Sequence, residues 1–165
     1  MATTLKLADF GLVRSYREKS PPTEYVSTRW YRSPELVLHS PHYNEKVDVF
    51  ALGCNMAELL IGSPLFPGKS ELDQLQTIIS VMGAPKQTEW PEGYSLAQKL
   101  KLTIPQQHGA YESGRLQQHF LQHHRTNVSD QALSLLEEML HFDPQKRISA
   151  ASALKHPYLM TARQS

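Results

Sequence analysis

Apolar residues recur at helical spacing in three segments of this chain of 165 residues. Residues 47–61 carry apolar side chains on nearly every face, a pattern typical of a helix in the middle of a domain. In residues 71–82 the apolar positions are three or four apart, which predicts an amphipathic helix with Ser70 as its N-cap. A third helix is predicted from about residue 130 to residue 141, after a cap at Ser129.

The remaining segments give weaker signals. Residues 5–8 alternate enough to predict a short strand, and residues 150–155 predict a short helix after Ser149. Residues 13–33 are rich in polar and proline residues and predict a long loop, and loops of that length are usually functional or disordered. Residues 86–126 contain several prolines and glycines, so we expect them to be mostly irregular. The pattern as a whole predicts a mainly helical fold.

Composition excludes some classes of function. The hydrophobic fraction of 40% and the charged fraction of 20% are ordinary for a globular protein. A formal net charge of +1 gives no reason to expect a nucleic-acid or membrane partner. A single cysteine excludes an internal disulfide, and no signal peptide or bilayer-spanning segment is predicted. We therefore expect an intracellular protein, and nothing in the sequence indicates a homo-oligomer.

Short motifs occur in a fixed order along the chain, and together they resemble the lower part of a eukaryotic protein kinase. They are Asp9-Phe10-Gly11, Thr23-Glu24-Tyr25, residues 28–35 (Thr-Arg-Trp-Tyr-Arg-Ser-Pro-Glu), residues 48–53 and residues 143–147. Residues 64–75 and 82–85, with Trp90-Pro91-Glu92-Gly93-Tyr94, resemble the CMGC group of cyclin-dependent and mitogen-activated kinases. Within that group the chain looks most like the male germ cell-associated and intestinal cell kinases, with the renal tumour-antigen kinase as the near alternative.

The resemblance implies a fold that is mainly α, a kinase-like C-terminal lobe lacking the nucleotide-binding N-lobe and the catalytic loop. It also implies domain limits. Residues 1–159 would be a partial kinase domain, made of an activation segment (9–35), a central helix (about 47–61), a CMGC-type insert (about 84–128) and C-terminal helices (about 130–155). Residues 160–165 would be a tail.

The Asp9-Phe10-Gly11 motif is expected to contact nucleotide and metal. A carboxylate followed by an apolar side chain and a glycine can bind a Mg²⁺ ion that bridges nucleotide phosphates. By resemblance, Asp9 is the metal ligand, Phe10 packs inward, and the two form the cofactor-binding motif together with Gly11. The alternative is that Asp9 only starts a loop.

Residues 28–35 resemble the substrate-docking loop of that family, and the loop before them resembles a dual-phosphorylation site. Thr23 and Tyr25 would be the modified residues, since each phosphate adds charge and acceptors that arginines can order. By resemblance Arg14 would bind the phosphothreonine, and Arg29 and Arg32 the phosphotyrosine. The alternative is that these arginines form ordinary surface pairs.

Four further residues take roles from the resemblance. Thr28 would link the catalytic aspartate and lysine, and Asp48 would hold the backbone of the catalytic loop. Glu35 and Arg147 would form a buried ion pair inside the lobe. Ser33 stands where the family usually has alanine, a small change that should keep the loop.

The sequence lacks several structural parts that phosphoryl transfer needs. It contains no glycine-rich loop and no strand with the nucleotide-binding lysine. It also contains no glutamate to pair with that lysine and no loop with the general-base aspartate. We expect the full-length parent to use Mg²⁺ and ATP, to phosphorylate Ser and Thr in proteins and to have an upstream activating kinase. The chain alone should bind neither cofactor and should lack catalysis.

Two alternatives to a kinase fragment stay open. One is a short non-catalytic binding or dominant-negative module, and the other is an unrelated helical domain with chance motifs. His119, His123 and His124 could suggest a metal cluster, but solvated loop residues are the simpler interpretation. The family analogy places the parent in the cytoplasm or nucleus, and in the cilium or flagellum.

Overall fold

The structure is a computed structural model that describes residues 6–13, 28–105, 111, 114–124 and 127–162. Its regular elements in these ranges are helical, as the hydrophobic pattern predicts, and no strand occurs there. The α-helices are α1 (Pro34–Val37), α2 (Lys46–Ile61), α3 (Glu71–Met82), α4 (Pro91–Lys99), α5 (Arg115–His119), α6 (Asp130–Met139), α7 (Ala150–Ala153) and α8 (Pro157–Ala162). Phe10–Leu12 and Arg29–Tyr31 form 3₁₀ turns, and Phe120–His124 forms a π-helical turn after α5.

Helix α2 begins one residue before its predicted start. It ends at Ile61 and is followed by Gly62, whose φ of 78° lies in the left-handed region that glycine adopts without strain. Phe50, Cys54 and Ala57 are fully buried, whereas Leu52 and Leu59 on the same helix are 54% and 87% exposed. The expectation of a helix buried on every face is therefore wrong for these residues, because one side of α2 faces outward.

Helices α3 and α6 both contribute buried side chains to the core. The predicted bounds of α3 are confirmed, and the Ser70 hydroxyl accepts a hydrogen bond from the Asp73 amide at 3.2 Å. Helix α6 begins as predicted after Ser129 and ends at Met139, two residues early. The buried core contains, among others, Leu75, Ile78, Ile79, Leu136, Leu140 and Phe142.

The predicted irregular stretch is wrong in part, because residues 86–126 contain helix α4, helix α5 and the π-helical turn. Pro91 occupies the first turn of α4, where a missing N–H costs nothing because that group has no partner inside the helix. Gly93 then lies directly against the buried Trp90 ring. Pro91 and Gly93 thus do not break a helix: Pro91 begins α4, and Gly93 makes a packing contact with Trp90.

Two further predictions differ from the structure. Residues 6–8 of the expected strand are irregular, since a strand needs a partner and the described residues contain none. Helix α7 ends at Ala153 rather than residue 155, and the chain turns into α8, which the sequence pattern did not predict. None of the described helices has the length and apolar character needed to cross a bilayer.

Candidate functional site

A buried ion pair joins two distant parts of the chain. Both oxygens of the Glu35 carboxylate accept from Arg147, at 2.7 Å from Nη1 and 2.9 Å from Nη2. The two residues are 3% and 1% exposed. The ion pair that the resemblance implies is therefore present, and it ties α1 to the segment after α6.

The remaining guanidinium hydrogens of Arg147 also have partners. Nη1 donates to the Lys46 carbonyl at 2.8 Å, Nε to the His141 carbonyl at 3.0 Å and Nη2 to the Phe142 carbonyl at 3.3 Å. The five N–H groups of an arginine are thus all used. The guanidinium carbon also lies 5.1 Å from the centre of the Phe50 ring, within range of a cation–π contact.

The predicted docking stretch, residues 28–35, runs into α1, and we call its first part, residues 28–32, the docking loop. The loop makes a single 3₁₀ turn, and the Tyr31 hydroxyl donates to the Glu58 carboxylate on α2 at 2.8 Å. That hydrogen bond is the main reason why the pKa of Tyr31 lies above its ordinary value. The Trp30 indole N–H donates to the Gly68 carbonyl at 3.1 Å. The docking loop is therefore held on two sides by its own side chains.

The arginines expected to bind phosphate lie in or beside this loop. Arg29 is exposed, while the Arg32 side chain is 12% exposed and its Nη1 lies 4.0 Å from the Glu71 carboxylate. Thr28 is exposed at the start of the loop, and Asp48 is exposed in the first turn of α2. The expected phosphorylation sites, Thr23 and Tyr25, lie outside the described residues, as does Arg14, the expected partner of the phosphothreonine.

The Asp9 corner is open in the structure. Asp9 has a left-handed backbone with φ of 62° and is exposed. Phe10 is 66% exposed, so the expectation that its ring packs inward is wrong: no apolar surface in the described residues covers it. A Cβ on Gly11 would come no nearer than 3.6 Å to another group, so space alone does not require glycine there.

The described residues do not form a complete magnesium site. Mg²⁺ prefers six oxygen ligands in near-octahedral geometry. Asp9 offers one carboxylate, and no group of three or more potential metal ligands occurs in the described part of the chain. The His119 and His123 rings are 4.6 Å apart without further ligands to complete a set there. A magnesium ion on Asp9 would need oxygens from elsewhere.

The single cysteine offers no reactive site. Cys54 is 1% exposed, and burial raises the pKa of its thiol well above the ordinary value. Because the thiolate is the nucleophilic form, a thiol held neutral in this way is inert. Cys54 is a core residue.

Ser33 is fully buried, and its hydroxyl has no hydrogen-bond partner among the residues that the structure describes. We expect Ser33→Ala to raise the free energy of unfolding by about 1 kcal/mol, because an unsatisfied buried hydroxyl would be removed. Urea unfolding checks this, with Ser129→Ala as the matched control. The Ser129 hydroxyl caps α6 by accepting from Ala132, so its loss should instead cost ~1 kcal/mol. A lower stability for Ser33→Ala would contradict the prediction.

The sequence interpretation missed one buried residue beside the docking loop. Gln74 is fully buried, and its side chain contacts the backbones of Trp30 and Gly68. A signal was available, because Gln74 is a polar residue on the apolar side of α3, four residues before Ile78. Such a side chain is expected to have buried partners.

Comparison with known proteins identifies the family. The family described as protein kinase domain matches residues 1–159. The human serine/threonine-protein kinase MAK is 45% identical over 96% of this chain, and rat serine/threonine-protein kinase ICK is 45% identical over 93%. Cyclin-dependent kinase F-4 of rice is 45% identical over 93%. The chain spans 24%, 23% and 32% of the lengths of these three relatives.

These findings agree with the ordered motifs, the helical fold and the buried Glu35–Arg147 pair. The chain belongs to the protein kinase family, as a C-terminal lobe portion of the CMGC group that is similar to the MAK and ICK kinases.

Proposed function

We propose that this chain is the substrate-docking part of a serine/threonine protein kinase that transfers the γ-phosphate of ATP to Ser and Thr residues of proteins. The observation that carries this proposal is the Glu35–Arg147 ion pair, which anchors the segment directly after the docking loop. If one partner of such a buried ion pair is removed, the other charge stays buried without a counter-ion, which strongly destabilises the fold. Its presence supports a docking loop with one defined geometry.

Residues 1–165 by themselves do not carry out the transfer in this proposal. Phosphoryl transfer depends on positioned phosphates, metal ions and a residue that orients the nucleophile. Asp9 supplies one carboxylate for a metal, and the printed sequence contains no lysine strand, glycine-rich loop or base-bearing loop. In a protein that has those parts, Asp9 would contribute a ligand to Mg²⁺ and the docking loop would orient the substrate.

Phosphorylation of Thr23 and Tyr25 is the regulation we propose. A phosphate near the docking loop could pair with Arg29 and Arg32, because guanidinium groups bind phosphate through two hydrogen bonds. Arg32 already lies near the Glu71 carboxylate, so a phosphate would compete with that contact. The partners are then a protein substrate and an upstream kinase, and we propose the cytoplasm or nucleus, with the cilium or flagellum, as the location.

A phosphate-transfer assay tests the function. Labelled ATP, Mg²⁺ and a basic protein substrate are given to residues 1–165 and to the full-length gene product. We expect no incorporation by residues 1–165, and incorporation by the full-length product that falls roughly a hundredfold or more in Asp9→Ala, because a metal ligand for the transferring phosphate is lost. Asp130→Ala, which removes an exposed carboxylate from the start of α6, is the matched control.

Three outcomes would contradict parts of the proposal. Incorporation by residues 1–165 that is lost in Asp9→Ala would show that the chain is catalytic alone. A full-length product without activity after treatment with an upstream kinase would favour a non-catalytic binding module. Full activity in the double variant Thr23→Ala and Tyr25→Phe would exclude the proposed regulation.

A further inference from the structure

We propose that Gln74 is a positioning residue that sets the geometry of the docking loop and thereby its affinity for protein substrate. This inference rests on the function proposed above and names a residue that acts in it. Gln74 acts through the backbone of Trp30, within the docking loop, and of Gly68, in the segment before α3. It is not expected to touch the reacting atoms.

Three hydrogen bonds close a ring among these residues. The Trp30 indole N–H donates to the Gly68 carbonyl at 3.1 Å. The Gly68 N–H is shared between the Phe66 carbonyl, at 2.9 Å, and the Gln74 Oε1, at 3.1 Å. The Gln74 Nε2 donates to the Trp30 carbonyl at 3.4 Å. Within the ring each residue therefore donates one bond and accepts one, and three separate parts of the chain meet in a single network.

The chemistry of the partners fixes the orientation of the Gln74 amide. A backbone N–H can only donate and a backbone carbonyl can only accept, so Oε1 must face Gly68 and Nε2 must face Trp30. Gln74 is fully buried in an otherwise apolar part of α3, next to Leu75. A buried amide is tolerated when its polar atoms are bonded, and here both ends of the amide serve backbone groups.

The ring also requires glycine at position 68. A Cβ there would lie 2.4 Å from the Gln74 Oε1 and 2.5 Å from the Gln74 Cα, too close for any other residue. The backbone of the segment before α3 therefore approaches the helix more closely than a side chain would allow. This close approach is what lets one glutamine reach both Gly68 and the docking loop.

The Gln74 network holds the docking loop at a point that the Tyr31–Glu58 hydrogen bond does not hold. Tyr31 holds the docking loop to α2 through Glu58, whereas Gln74 holds the carbonyl of the preceding residue to α3. Removing the Gln74 donor leaves a carbonyl in the docking loop without this partner. A substrate segment would then meet a loop with several geometries instead of one, which weakens substrate binding without changing the contacts made to ATP.

The test uses Gln74→Glu in the full-length gene product. The carboxylate keeps an acceptor for the Gly68 N–H but places a second oxygen against the Trp30 carbonyl. We expect the KM for a peptide substrate to rise roughly tenfold, with the KM for ATP unchanged, because a hydrogen bond to a buried group is lost. Amide hydrogen exchange over residues 28–32 should accelerate in the same variant.

The matched control is Gln76→Glu, the same substitution at an exposed position of the same helix. It should leave both KM values and the exchange rates unchanged. If Gln74→Glu fails to fold, Trp30→Phe is the second variant. It replaces the indole with a phenyl group and so removes the Trp30 donor from the ring of hydrogen bonds. It should raise the peptide KM and the exchange rate in the same direction.

Two results would overturn the inference. If amide hydrogen exchange over residues 28–32 is unchanged in both Gln74→Glu and Trp30→Phe, the network does not fix the docking loop. Faster exchange with an unchanged peptide KM, or an equal rise in both KM values, would show a structural role without a positioning role. A wild-type protein without any phosphate transfer would instead contradict the proposed function, and the exchange experiment, which needs no catalysis, would still decide whether Gln74 holds the loop.

Discussion

Arg147→Met is expected to lower the free energy of unfolding by about 3–5 kcal/mol, the largest effect of any substitution of a polar residue considered for this chain. The methionine fills much of the same space, so the cost is mainly electrostatic. The Glu35 carboxylate, 3% exposed, would remain buried without its cation. The carbonyls of Lys46, His141 and Phe142 would also lose a donor. Urea unfolding followed by circular dichroism measures the change.

Two variants separate this electrostatic cost from simpler causes. Lys146→Met removes a neighbouring cation whose Nζ bonds the exposed Glu89 carbonyl, so we expect a change of less than about 0.5 kcal/mol. The double variant Glu35→Leu and Arg147→Met removes both charges and should be more stable than Arg147→Met alone, because no unpaired carboxylate remains. Equal losses in Arg147→Met and Lys146→Met would contradict the prediction, as would a double variant that is less stable than either single variant.

The sequence predicts the helices whose ends carry clear local signals. Helix α3 has a serine that can cap its start and a glycine just past its end, and its bounds are as predicted. Helix α4 has equally local signals, but Pro91 and Gly93 favour an irregular segment when they are considered without their surroundings. Proline is compatible with the first turn of a helix, and Gly93 is required by the Trp90 ring beside it. Only the packed structure shows that second reason.

In the candidate site, too, some features are predicted from the sequence and others appear only in the packed structure. The resemblance leads directly to Glu35 and Arg147, since both lie in recognisable motifs, and the structure brings them together. It leads to a wrong expectation for Phe10, because the packing of that ring depends on residues that the described part of the chain does not supply. The ring of hydrogen bonds around Gln74 is not predictable from the motifs. Its members are an indole, a glycine backbone and an amide from three separate segments, and only the tertiary structure places them within hydrogen-bond distance.

The close contact at Gly93 leads to the second large prediction. Inside a helix, replacing glycine with alanine normally stabilises a protein by about 0.5–1 kcal/mol. Gly93 is the third residue of α4. Here a Cβ would lie 2.2 Å from two atoms of the Trp90 ring, which is 2% exposed and packs 5.7 Å from the centre of the Phe142 ring. The ring cannot move away without displacing the core. We therefore expect Gly93→Ala to destabilise the protein by roughly 2–3 kcal/mol, typical of overpacking.

Thermal unfolding followed by circular dichroism measures the Gly93→Ala effect, and a loss of this size should lower the Tm by roughly 4–12 °C. Ser95→Ala, an exposed substitution on the same helix, is the control and should leave the Tm almost unchanged. In a Trp90→Leu background the indole ring is gone, so the added methyl group of Gly93→Ala should cost much less there than in the wild type. A Gly93→Ala protein as stable as the wild type, or a penalty that is the same in both backgrounds, would show that the Trp90 ring is not what excludes a side chain at position 93.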